Sequence, residues 1–174
     1  MALRNVITME DPALRKKSRP VTEFNDRIKQ LVGDLKDTLS QKEGYGIAAP
    51  QVGILRRVII VIDGEEIIPM INPELLKSEG ETGIDEACFS CPGIVGYVIR
   101  PQFITVRAYD TDGNEFTRDF SEIAARAVCH EIDHLDGILF VDIATEVYSD
   151  TEEYKERRLK GSGEEDKGSP EETQ

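Results

Sequence analysis

The chain has 174 residues, 39% of them apolar, enough for one domain with a real hydrophobic core. Thirty-four acidic against 21 basic residues leave a net charge of −13, which argues against a nucleic acid or an anionic membrane as a stable partner. No apolar run approaches the roughly 18 residues of a membrane span, and the first residues, Met-Ala-Leu-Arg-Asn-Val-Ile-Thr, lack the apolar centre of a secretory signal. Cys88, Cys91 and Cys129 are an odd number of thiols and too few for a disulfide framework, so metal or redox work suits them better than stapling. These features predict a cytoplasmic protein.

Asp11-Pro12 opens a short helical or turn segment. Asn25 then precedes apolar positions Ile28, Leu31, Val32, Leu35 and Leu39, the spacing of an amphipathic helix that stops before Gly44. Residues 44–51, Gly-Tyr-Gly-Ile-Ala-Ala-Pro-Gln, read as an irregular segment where Gly44 and Gly46 let the backbone pass close to something. The β-branched run 58–62 turns at Asp63-Gly64 into a second strand through Ile71, and further strands are predicted near 75–79, 97–100, 103–109 and 115–120. Ser121 offers an N-cap for a helix whose apolar face, Ile123, Ala127, Val128 and Ile132, continues to Gly137. Helices at the ends and strands in the middle predict an α+β fold, with mainly antiparallel sheets around a central metal-binding helix, an N-terminal helix and a short C-terminal helix. Residues 1–150 read as the catalytic domain. Residues 151–174 read as a charged helix followed by a disordered acidic tail.

The chain's two histidines both lie in His130-Glu131-Ile132-Asp133-His134. Four residues apart on a helix, they stand on one face and can grip one metal ion, with Glu131 able to reach a water on that ion. An open catalytic site needs a third ligand, and the cysteines are the candidates. One reading takes Cys88 and Cys91 with both histidines as a closed structural Cys2His2 site, which would leave Glu131 without a use. An exposed helix with solvated histidines, an HExxH endopeptidase and a thioredoxin-like pair are the other readings. The last lacks a βαβ context, and Cys129, about 100° around the helix from His130, reads as packing.

Three segments, residues 44–51, Glu86-Ala87-Cys88-Phe89-Ser90 and His130 to His134, resemble the motifs of the peptide deformylase family in order and separation. Asp11-Pro12-Ala13-Leu14-Arg15, Arg100-Pro101 and His134-Leu135-Asp136-Gly137 extend the likeness over about residues 5–148. The resemblance implies a hydrolase that removes the formyl group from the N-terminal formylmethionine of new polypeptides and releases formate, with a catalytically inactive metal- or peptide-binding relative as the alternative. It implies Cys88, His130 and His134 as ligands of one divalent metal, ferrous iron by habit of the bacterial members, with zinc, nickel or cobalt possible. It assigns proton transfer to Glu131 and oxyanion donation to the Gln51 side chain and the Phe89 backbone N–H. Peptide contacts are expected near Gly44, Gly46 and Gly93, an apolar pocket near Ala127, and a rim contact from Arg100. Formylated nascent peptides are the implied partners, with transient ribosome contact. Ala87 stands where the family usually has glycine, which would strain a backbone of positive φ. Cys91 stands where a branched apolar residue is common, close enough to Cys88 for oxidation to join the two sulfurs.

Overall fold

A computed structural model describes residues 2–150; the expected C-terminal helix and acidic tail fall outside these residues. A 3-10 turn, Pro12–Arg15, starts with the Asp11 carboxylate accepting from the Ala13 N–H at 2.9 Å. Helix α1, Asp26–Ser40, begins where the Asn25 side chain caps the Ile28 N–H, as the periodicity predicts. Eight strands follow: β1 Gly46–Ala48, β2 Val58–Asp63, β3 Glu66–Glu79, β4 Thr82–Glu86, β5 Ile94–Arg100, β6 Phe103–Tyr109, β7 Glu115–Ser121 and, after the helices, β8 Glu146–Ser149. Helix α2, Glu122–Leu135, and the one-turn α3, Phe140–Ile143, lie between β7 and β8. The strands make two antiparallel sheets, β1-β2-β3-β6-β7 and β4-β5-β8.

Strand β2 explains its own composition. Ile59 and Val61 face the core that holds α2, whereas Val58 and Ile60 face the core that holds α1. A strand buried on both faces needs the unbroken β-branched run Val-Ile-Ile-Val-Ile. The two strands predicted on either side of Ile71 are one continuous β3, which stays paired with β6 by shifting register between Ile71 and Glu74 and again between Leu75 and Lys77. Asn72, at φ 51°, makes the bend, and its side chain accepts from the Val21 N–H and donates to the Val21 carbonyl. The segment expected to be irregular contains strand β1, which pairs with β2 from Gly46 opposite Val61 to Ala48 opposite Ile59, and then a 3-10 turn, Ala49–Val52.

Helix α2 is the centre of the larger core, with Ala124, Ala125, Val128 and Leu135 against Ile59, Met70, Val106 and Phe120. Ser121 does not cap it through its hydroxyl; the Glu122 N–H donates to the Gln102 carbonyl instead. The helix stops at Leu135, two residues before the predicted end. Gly137 at φ 74° donates to the His134 carbonyl and the Ile138 N–H to that of Asp133, the paired bonds of a left-handed helix stop. A side chain on Gly137 would collide with the Arg15 carbonyl at 2.5 Å, so the turn must be glycine for space as well as for φ.

The N-terminal segment laces the site from behind. The Ile7 N–H donates to the Gln51 carbonyl and the Met9 N–H to the Ser90 carbonyl, both at 2.8 Å. Its far end is fixed to α1 by Asp34, 3% exposed, which accepts from the Ala2 N–H, Arg4 and Gln30. An Asp34→Ala variant should lose about 2 kcal/mol of stability, the scale of hydrogen bonds to a charged acceptor, with the first residues losing amide protection in hydrogen exchange. Unchanged protection there would show that the clamp is ornamental.

Candidate metal centre

Cys88 lies between β4 and β5, two residues past the end of β4, while His130 and His134 stand one turn apart on α2. The Cys88 Sγ, one nitrogen of His130 and one of His134 all lie within 4.8 Å of one another. The Cys88 Sγ to His134 Nε2 distance is 3.3 Å, close to the roughly 3.5 Å edge of a tetrahedral site built from metal–sulfur and metal–nitrogen bonds. One thiol and two imidazoles at this separation fit a divalent transition metal and leave a fourth position free. Cys91 is not part of this group; it packs with Leu14, Val98, Leu139 and Phe140, which removes the Cys2His2 reading. Cys129 is buried in the larger core, as its place on the helix predicts.

Glu86 sets the orientation of His130. Its Oε1 lies 2.8 Å from His130 Nδ1, and Arg100 and Arg126 donate to the same carboxylate. Burial alone would raise the Glu86 pKa, but His130 and Arg100 hold it down at about 2. An ionised carboxylate only accepts, so Nδ1 carries the hydrogen and Nε2 is left bare as a ligand atom. Burial works against charge on His130, yet the Glu86 contact raises its pKa; His134, desolvated and beside His130, is pushed well below the ordinary value and stays neutral.

Glu131 is 4% exposed, and its Oε2 meets no hydrogen-bonding partner among the described residues. Burial lifts its pKa to about 7. A side chain on Gly46 would meet Glu131 Cγ at 2.9 Å, and one on Gly44 would meet the Phe89 ring at 2.3 Å. These are the close approaches anticipated in the sequence, and neither glycine needs a positive φ. Ala87 also has no positive φ, so the strain that its replacement of glycine would bring does not arise. Gln51 is 1% exposed; its Oε1 accepts from the Ala48 N–H at 2.9 Å. That fixes the amide so its NH2 points at the site, 3.5 Å from Cys88 Sγ and 3.3 Å from Ser90 Oγ.

A cavity of about 460 Å³ opens over these groups. Gly44, Gly46, Gln51, Cys88, Phe89, Gly93, Ala127, His130 and Glu131 all line it, so nearly every residue singled out in the sequence borders one space. His134, buried behind His130, and Arg100 are the exceptions. Arg100 is 4% exposed and does not line the cavity; Nε and Nη2 grip Glu86 and Nη1 grips Asp133 at 2.9 Å. Its expected rim contact with peptide is therefore corrected: two carboxylates draw it inward. Ile84, Ile123 and Arg126, which the sequence reading did not assign to the site, also line the cavity.

The family description "polypeptide deformylase" matches residues 3–149. This chain belongs to that family. It is 49% identical to the peptide deformylase of Caldicellulosiruptor bescii over 161 residues, 92% of this chain and 96% of the relative. Peptide deformylase 2 of Clostridium acetobutylicum is 48% identical over 147 residues, 84% of this chain and 98% of that one. The crystal structure of the Thermotoga maritima deformylase superposes with a TM-score of 0.80 at 33% identity, covering 83% of this chain and 99% of that one. A Synechococcus elongatus deformylase solved in complex with actinonin gives 0.79 at 28% identity, covering 92% and 86%.

Two predictions follow from the deformylase geometry. Glu86 contributes stability that is whole above its ordinary pKa of 4.5 and is lost as pH falls through about 2. A Glu86→Gln variant should unfold about 3 kcal/mol more easily at neutral pH and show a flatter acid limb, checked by denaturant titration across pH. Cys88 and Cys91 stand on one turn, closed by the Cys91 N–H donating to the Cys88 carbonyl at 3.0 Å. In metal-free protein, diamide, which takes up two hydrogens, should join them, read as that loss in intact mass and reversed by dithiothreitol. A Cys91→Ser chain that loses the same mass would refute the pairing.

Proposed function

We propose that Cys88, His130 and His134 hold the divalent metal on which this family's hydrolysis depends, with Glu131 beside it as the proton carrier. The chain is a peptide deformylase: it cleaves the formyl C–N bond at the N-terminal formylmethionine of new polypeptides and releases formate. The observation that carries the site assignment is a buried carboxylate, one oxygen unpartnered, next to three convergent ligand atoms, of which those of Cys88 and His130 belong to residues lining one cavity. When bound, the metal supplies a Lewis acid that lowers the pKa of a water and polarises the formyl oxygen.

The chain's own residues do the rest. Glu131, with a pKa of about 7, is suited both to take the proton of the attacking water and to give it to the departing amine nitrogen. The Gln51 NH2, locked by its carbonyl bond to Ala48, donates to the oxyanion that forms as the formyl carbon becomes tetrahedral, and the Phe89 backbone N–H is the second donor. Strand β1 lies at one edge of its sheet and β4 at one edge of the other, which suits an extended peptide read through its backbone near Gly44, Gly46 and Gly93. Ile84, Ile123 and Ala127 offer apolar surface to the methionine side chain. Ferrous iron is the proposed native metal by likeness to the family's bacterial members; a thiolate with two imidazoles also accepts zinc, nickel or cobalt, and supply decides among them. Among the described residues no helix is long and apolar enough to cross a membrane. A cytoplasmic setting with transient ribosome contact is proposed from the substrate.

Formate release from a formyl-Met tripeptide, with iron-loaded protein prepared without oxygen, tests this reading. Glu131→Gln should abolish turnover while keeping the metal, and Gln51→Ala should lower kcat by about 100-fold, the cost of one oxyanion donor. Full metal occupancy without turnover would instead support an inactive metal-binding relative.

A further inference from the structure

We infer that Arg126 is a positioning residue for this site, the brace that fixes the Cys88 side of the ligand set against the histidine side. The inference rests on the reading of Cys88, His130 and His134 as ligands.

The two sides belong to different bodies of the fold. Helix α2 buries its apolar face against β1, β2, β3, β6 and β7, and among the described residues no side chain of β4, β5 or β8 takes part in that core. Val98 of β5 packs instead with Leu14, Cys91, Leu139 and Phe140. Cys88 therefore rides on one packed unit and the two histidines on another. The His130 ring stacks on Phe140 across the seam with centroids 6.1 Å apart, and directional polar contacts fix the strand pair against the helix more narrowly than such packing can.

Arg126 crosses that seam with the most contacts. Its residue number is four below His130 and eight below His134, so all three stand on one stripe of α2. Nη1 donates to Glu86 Oε2 and, at 2.9 Å, to the Val98 carbonyl of β5. Nη2 donates to the Thr82 carbonyl at 2.6 Å and to Thr82 Oγ1 at 3.2 Å at the start of β4. One planar group thus holds both ends of β4 and the middle of β5. Residue 82 pairs with 100 and residue 86 with 96 across the same two strands, so the grip fixes them as a unit. Cys88 follows β4 by two residues, a tether too short to move independently. The fork geometry is specific to arginine; lysine keeps the charge and loses the planar pair of donors.

The test uses the full chain loaded with cobalt(II) alone, whose absorption reports both ligand-field geometry and the thiolate bond. Wild type should bind one cobalt per chain with a thiolate-to-cobalt charge-transfer band. Arg126→Met, which keeps an apolar stem and removes the guanidinium, should shift the ligand-field bands and release cobalt to a chelator about 10-fold faster or more, the scale on which residues supporting metal ligands act. Arg126→Lys should fall between the two. A folded Met variant with the wild-type spectrum and release rate overturns the inference. Should the Met variant fail to fold, the Lys variant decides: intermediate behaviour supports the brace, and wild-type behaviour overturns it. Wild type that binds no cobalt would defeat the ligand reading itself, a result distinct from failure of the brace.

Discussion

Burying one ionised carboxylate in the middle of a small domain is the constraint around which the site is organised. Glu86 would be costly there alone, and three partners offset the cost: Arg100, Arg126 and His130. Each partner comes from a different place, β5 for Arg100 and successive turns of α2 for Arg126 and His130. Satisfying this one charge therefore aligns a strand pair with a helix and turns an imidazole to face the cavity. Asp133, which accepts the third donor direction of Arg100, extends the same network one turn further along α2.

The rest of the site relies on close approach more than on charge. Gly46 lets Glu131 lie against β1, and Gly44 lets the Phe89 ring lie against the chain. With β2 filled on both faces, β1 cannot retreat to make room for a side chain at either position. The Glu131 carboxylate is consequently shielded by packing, and its pKa near neutrality follows from that burial.

Much of this was legible in the sequence. The helix spacing of the two histidines, the cap at Asn25 and the β-branched run of β2 report local rules that the fold obeys. The short strands did not show. β1 has three residues and borrows its strand character from pairing with β2, and β4 is defined by its ladder to β5 instead of by an alternating pattern of its own. Charge partners were the weakest reading. Arg100 was expected at the pocket rim; its two acceptors lie 14 positions before it and 33 after it, and no local pattern announces that meeting. Arg126 carried a faint signal in its place one turn before His130 on the same face, but a charged residue there also fits a solvated stripe. Only the fold shows that its acceptors are the Glu86 carboxylate, the Thr82 hydroxyl and the backbone carbonyls of Thr82 and Val98.

The contact between Cys88 and His134 joins positions 46 residues apart. A cation held by those atoms would close that span as a covalent crosslink does, withdrawing from the unfolded chain the freedom to separate its ends. Folding and loading would then be one linked equilibrium: the apparent stability of the domain would rise with the free concentration of the metal, and scarcity of the ion would be felt as fragility before it was felt as lost turnover.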